Sequence, residues 1–249
     1  MNVFFRSLVL LVCAVMGFPA AATGGELSLG LLGVYSSSPY KGHDDTILPF
    51  PLISYEGERF FFRGVGGGVH IWKDENQELL VGLSYAGMQF DHSKTDDNRL
   101  KRLDDRYSTV TVDAYYSLRT DWGNAGVKAS QDILGNSEGF VVDLWYKHPF
   151  SVGQLTVVPG IGMQWDSERQ ADYYYGVSAS ESRKSGLEEY DAKNAVSPYL
   201  SLDINYALTD NWNLTAGGKM LFLSDEIQDS PMVDDSKQFD ASVGVVYSF

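Results

Sequence analysis

The residues best placed to do chemistry are charges set into otherwise apolar, alternating segments. They are Arg63, Asp113, Lys128, Asp132, Asp143, Lys147, Asp203 and Lys219. Gathered on one inner surface, they could line a polar path for solutes, or pair off into a plug. Histidine offers general-base chemistry at His43, His70, His92 and His148, with acidic neighbours in His43-Asp44-Asp45 and Asp91-His92. Such chemistry needs an imidazole within hydrogen-bond reach of both a carboxylate and a nucleophile, which adjacency in sequence does not supply. The zinc-protease pattern His-Glu-x-x-His does not occur. The acids Asp225, Glu226, Asp229, Asp234 and Asp235 could bind divalent cations. They lack the ordered ligand spacing of a calcium loop. The residues therefore read as non-enzymatic, with no catalytic residue, cofactor or metal site.

What must position these charges is a set of long alternating segments. In Gln238–Phe249, the residues Phe239, Ala241, Val243, Val245, Tyr247 and Phe249 share one face, and Asp240, Ser242, Gly244 and Ser248 the other. A strand sends successive side chains to opposite faces, so each such segment has an oily and a polar side. Ser197–Leu208 and Ser108–Leu118 behave alike. Segments of ten or more residues exceed the usual soluble strand and match a tilted span of a membrane hydrocarbon layer. A charge facing lipid costs kilocalories, so the eight charges should face a lumen. With inward tyrosines also present, an ion-pair plug is favoured over an open path.

Turn chemistry marks short links at Tyr55–Glu58, Asp74–Gln77, Thr120–Gly123, Ser151–Gln154 and Thr209–Trp212. Longer links fall near Ser36–Thr46, His92–Arg106, Gly135–Glu138, Asp166–Asn194 and Ser224–Lys237. Outer-membrane barrels have short periplasmic turns and longer outer loops, so both chain ends on one side require an even strand count. Splitting Arg59–Lys73 at its glycines, with a hairpin at Gly66-Gly67-Gly68, restores that alternation. The expected fold is all-β: a transmembrane antiparallel up-and-down β-barrel of about 12 strands, with ten as the alternative. Trp122, Tyr146, Phe150, Tyr206, Trp212, Tyr247 and Phe249 stand where strands should meet the membrane interface.

The N-terminus reads as a signal peptide over residues 1–22, with Arg6 before an apolar Leu8–Phe18 and small residues at Ala20-Ala21-Ala22. Residues 23–249 are then the barrel domain. The only cysteine, Cys13, lies in the signal, so the exported chain has no thiol chemistry. Removing the signal takes away Arg6 and leaves 18 basic against 33 acidic residues, a net −15. That balance excludes nucleic acid as a partner held by bulk electrostatics.

Three segments resemble the MltA-interacting protein family, also called MipA/OmpV. One is Ser38–Arg63, with its Tyr-x-Gly, paired aspartates and Pro-x-Pro run. The second is Tyr173–Lys193, where Tyr174, Tyr175, Gly176, Val177 and Ser178, then Ser185, Gly186, Leu187, Tyr190 and Asp191, follow the family's loop pattern. The third is the terminal strand, whose Val245, Tyr247 and Phe249 are similar to the signal read by the barrel assembly machinery. The resemblance implies residence in the outer membrane among lipid and lipopolysaccharide. It also implies an interaction or scaffold role for a murein lytic transglycosylase and a murein synthase. Other members of the family imply a narrow small-solute channel or a surface adhesin as alternatives. The family provides no catalytic residue to carry over.

Overall fold

The computed structural model describes residues 25–249, so the expected signal peptide lies outside the described residues. The strands are β1 (Glu26–Ser36), β2 (Thr46–Glu56), β3 (Phe60–Arg63), β4 (Gly66–Lys73), β5 (Gln77–Ala86), β6 (Thr109–Thr120) and β7 (Gly123–Asp132). They continue as β8 (Phe140–Lys147), β9 (Phe150–Val152), β10 (Leu155–Asp166), β11 (Ala195–Ala207), β12 (Trp212–Phe222) and β13 (Lys237–Ser248). Both β8 and β9 pair with β10, at Gly160↔Lys147 and Val157↔Phe150. They are thus one rung broken at His148-Pro149, where proline cannot donate to the ladder. All pairs are antiparallel, β13 pairs with β1, and β10 pairs with β11, which closes the sheet. The result is a closed 12-stranded barrel, and the ten-stranded alternative is excluded.

Cross-strand register turns the alternation into two surfaces. Leu31, Val243, Leu200 and Ile161 lie outward and are exposed, as a lipid-facing belt requires. Aromatic pairs collect at the ends near the short turns: Trp122 stacks on Tyr146, and Tyr247 meets both Trp212 and Phe249. The split between β3 and β4 is present, but its turn is not at Gly66–Gly68. Arg63 pairs with Gly66, so Gly64 and Val65 form the turn and the three glycines begin β4. Gly64 takes φ +62°, which glycine adopts without a Cβ penalty.

The tightly packed interior is not in the membrane span. It lies above the barrel, where long loops carry three short helices, α1 (Glu168–Tyr175), α2 (Ala179–Ser185) and α3 (Asp225–Gln228). Tyr40, Phe90, Leu100, Tyr174, Ile227 and Met232 are all buried there.

Candidate functional site

Two layers make the site: a cap over the outer mouth, and a polar lumen beneath it. The cap grows from the links after β1, β5, β10 and β12. Their apolar residues meet in one core that also takes in Tyr199 and Leu221, lumen-facing residues near the upper ends of β11 and β12. Tyr174, fully buried, donates its hydroxyl to the Tyr107 carbonyl at 3.0 Å. Tyr40 donates to the Tyr174 carbonyl at 3.2 Å, and its ring lies 4.9 Å from that of Phe90, edge to face. Burial pushes the Tyr40, Tyr174 and Tyr175 phenols well up, so they remain neutral.

The cap's tightest polar contact joins two links that are distant in sequence. Ser178 begins α2 as a capping box: its hydroxyl accepts from the Glu181 N–H, and Glu181 accepts from the Ser178 N–H at 3.0 Å. The same carboxylate accepts from Arg106 Nη2 at 2.8 Å and from the Asp104 N–H at 3.1 Å. Burial alone would raise the Glu181 carboxyl. The Ser178 N–H and the Arg106 guanidinium outweigh it and hold the group below the usual carboxylate range. Gly186 ends α2 at φ +77°, in the left-handed region. Ser185 is buried and donates to the Glu181 carbonyl at 2.7 Å. Tyr190 exchanges backbone hydrogen bonds with Val177 and donates its hydroxyl to the Glu226 carbonyl at 2.6 Å. Gly176 closes α1, while Asp191 is exposed.

In the lumen, the structure brings together six of the eight charges singled out in the sequence. Lys128 lies 3.2 Å from Asp113, which also accepts from Thr111 at 2.9 Å. Lys147 pairs with Asp203 at 2.7 Å. Lys219 approaches Asp143 at 3.8 Å and lies over the Tyr199 ring, 4.1 Å from its centroid. Tyr199 in turn donates to Asp143 at 2.8 Å. Trp145 lies across Gly126 and Tyr199 across Gly162, their cross-strand partners, where a Cβ would collide with the rings. A cavity of about 350 Å³ remains between Tyr115, Asn124, Asp143, Trp145, Lys147 and Tyr199.

The other two charges lie elsewhere. Arg63 bridges Glu56 and Glu78, with its Nη2 3.0 Å from Glu78, in a separate cluster with His70 and Lys73 near the short turns. Asp132 organises the β7–β8 link. It accepts from the N–H groups of Leu134, Ser137 and Glu138 at 2.8–2.9 Å, and from the Thr109 hydroxyl.

The histidines do not assemble a catalytic set with their acidic neighbours. His43 turns into the cap against Phe90, while Asp45 accepts from the Tyr35 hydroxyl at 2.6 Å. His92 contacts Asp105 at 2.7 Å, and His148 contacts the Trp122 carbonyl at 2.8 Å. Residues Gly135–Gly139 spell Gly-x-Ser-x-Gly, a hydrolase pattern. That pattern acts at a strand-to-helix turn, whereas here it joins two strands. Ser137 hydrogen-bonds Asp132 and Gln170, and none of its partners is a histidine. Among the described residues, two groups could gather around a cation, Glu56/His70/Glu78 and Asp91/His92/Asp105. In the first, Arg63 already lies on both carboxylates. Within the acidic Ser224–Lys237 link, Glu226 is taken up by the Lys193 N–H at 2.5 Å.

The sequence pattern carries no sign of the roles of Arg106 and Phe90 or of helix α1, and it offers Tyr40 only as part of the Tyr-x-Gly motif. The Ser178-x-x-Glu181 spacing was the legible sign of a capped helix.

The family model for MltA-interacting protein MipA matches residues 29–249. The MltA-interacting protein of Escherichia coli strain K12 is 40% identical over 225 residues, covering 90% of this chain and 91% of the relative. The putative outer membrane protein YiaT of the same strain is 38% identical over 232 residues, covering 93% and 94%. Among solved structures, the NanC porin is similar with a TM-score of 0.43 and 12% identity, over 88% of this chain and 98% of that one. With the closed barrel and its lipid-facing belt, the family match and the two relatives identify the chain as an outer-membrane β-barrel that belongs to the MltA-interacting protein MipA family.

Proposed function

We propose that this barrel is a membrane-held interaction protein for a murein lytic transglycosylase, with a murein synthase as a further partner. It is not an enzyme in this reading. The observation that carries it is the closed outer mouth: four links bury a common core over a lumen lined by mutually paired charges. Such a lumen is a poor conduit and a rigid anchor. The 40% identity to a protein named for interaction with MltA supplies the partner class. The partner would meet the short-turn rim, where the chain ends and the five tight turns lie. Barrel lipid, lipopolysaccharide and assembly-machinery contacts accompany this reading as ordinary surroundings of an outer-membrane protein.

The test is retention from envelope extract. Immobilised, detergent-solubilised folded barrel should retain a lytic transglycosylase, identified by mass spectrometry, and release it as salt rises. Absence of that enzyme at every salt concentration would overturn the role. The lumen cavity of about 350 Å³ favours a second reading, a narrow small-solute channel. Discrete conductance steps in a planar bilayer, altered by Lys147→Met, would support it. An adhesin reading would need surface attachment that is lost on altering the exposed face of the cap.

A further inference from the structure

The ladder closes round the barrel, but on one side it does not reach the full height of the wall. β2 pairs with β1 along its whole length, Thr46–Glu56. On its other side only Ser54, Tyr55 and Glu56 pair with β3, and the Gly64 N–H donates to the Ile53 carbonyl at the hairpin tip. β3 is only four residues long. Above its tip, among the described residues, no strand pairs with this edge of Thr46–Leu52. The gap closes again at the top, where His43 bridges Thr95 and the Asp44 N–H donates to the Lys94 carbonyl. This edge of seven residues, at roughly 3.4 Å per residue, is about 24 Å long along the strand. A two-strand hairpin leaves about 14 Å between β2 and β5 at its foot.

The sequence is fitted to this edge. The Gly64–Ile53 bond shows which β2 residues turn their backbone toward the gap: Ile53 and, two by two above it, Pro51, Pro49 and Ile47. Proline has no N–H to leave unpaired, so it belongs on an open edge and not in a ladder. The carbonyls of this edge still need donors. At membrane depth, unpaired backbone is tolerated only beside protein or water. The lumen face of the same stretch is Leu48, Phe50 and Leu52, continuous with Val34 and Leu32 across the β1 pair. Phe50 and Leu52 lie over the hairpin tip at Gly64. Ile47, on the outer face, is 79% exposed. A row of acceptors therefore borders an apolar strip where lumen water meets the bilayer. The cap shuts the vertical route beside it.

We propose that this gap is a lateral window that binds and passes small uncharged amphiphiles, molecules with an alkyl or aromatic body and one hydroxyl. The hydroxyl donates to the β2 edge carbonyls, and the body lies on Leu48, Phe50 and Leu52. Charged heads are excluded because the charges find one another: Glu56 of β2 and Arg63 of β3 are paired below the window, and the remaining lumen charges are paired on other strands. The inference is independent of the transglycosylase reading.

The test uses the full chain in nanodiscs, with Cys13→Ser and one environment-sensitive fluorophore on Phe50→Cys. Lipid-facing Leu200→Cys and lumen-facing Thr215→Cys are the references. Brominated lipids should quench position 50 nearly as well as 200, and 215 hardly at all. Titrated para-octylphenol should then give a saturable change at position 50. The change should vanish when three residues are added to each arm of the β3–β4 hairpin together with Pro49→Val and Pro51→Val. Leu48→Asp, which leaves the wall unaltered, should also abolish it in a barrel that still shows a heat shift. Quenching at 50 no greater than at 215, or an unsaturable response identical in all variants, would overturn the proposal.

Discussion

Replacing Glu181 by alanine should open the outer cap and leave the barrel standing. The carboxylate is buried, and its removal strands the equally buried Arg106, which keeps only the Asp104 carbonyl at 2.9 Å and the Gly176 carbonyl at 3.2 Å. Breaking a buried pair by removing one partner costs about 3–5 kcal/mol. The two remaining carbonyls place Glu181→Ala near the lower end, about 3 kcal/mol, with loss of the reciprocal capping bond included. At 1.36 kcal/mol per decade, the opening constant of this region should rise roughly 100-fold. Hydrogen exchange of peptides spanning residues 179–187 reads that constant directly, since local opening is what exchange reports. Heat-shifted migration should stay unchanged, because the strand ladder is untouched. A change in exchange below about threefold (on the same 1.36 kcal/mol scale) would refute the view that this pair locks the cap. The pH dependence has a fixed sign. Glu181 is held below its unfolded value near 4.3, so its contribution is present above that pH and lost as pH falls through the folded value. Protection of α2 should therefore be flat from neutral to about pH 5 and decline in more acidic buffer.

Other perturbations separate the layers. Gly186→Ala meets no steric neighbour, so its cost is conformational alone, about 1–2 kcal/mol for a left-handed residue, and exchange should rise in α2 but not in β11. Tyr174→Ala empties a fully buried site and should cost about 3–5 kcal/mol of cap stability, whereas Tyr174→Phe loses one hydrogen bond, about 1 kcal/mol; protease nicking within Glu168–Lys193 distinguishes them. Gly126→Val would collide with Trp145 and with the Tyr116 carbonyl, so the heat-shifted fraction should fall. Phe249→Ala removes the ring that packs on Tyr247 and should slow barrel assembly, seen as delayed appearance of the heat-shifted band.

The barrel was legible because period-two alternation in strands such as Lys237–Ser248 is a local property of the chain. Parity alone required the split between β3 and β4. The exact turn was not legible, since any of the glycines in Gly64–Gly68 tolerates φ above zero and only cross-strand register selects Gly64. The lumen charges were legible as inward-facing, but not their pairing: Lys147 and Asp203 stand on β8 and β11, 56 residues apart. Asp132 shares their alternation yet sits at a strand end, where the N–H groups of the following turn capture it. The cap was least legible. Its core joins Tyr40, Phe90, Tyr174 and Met232 from four loops without periodic spacing, and its ion pair joins residues 75 positions apart. The prolines at 49 and 51 were visible as a motif, but their meaning depends on the length of a neighbouring hairpin.

The most direct test of the functional account is binding measured from a defined side. The barrel is embedded in nanodiscs and titrated with a purified murein lytic transglycosylase, as the wild-type chain and as Glu181→Ala. The account predicts saturable binding with the same midpoint in both, because the partner meets the short-turn rim and not the cap. No binding at any ionic strength, or binding lost on opening the cap, would contradict it.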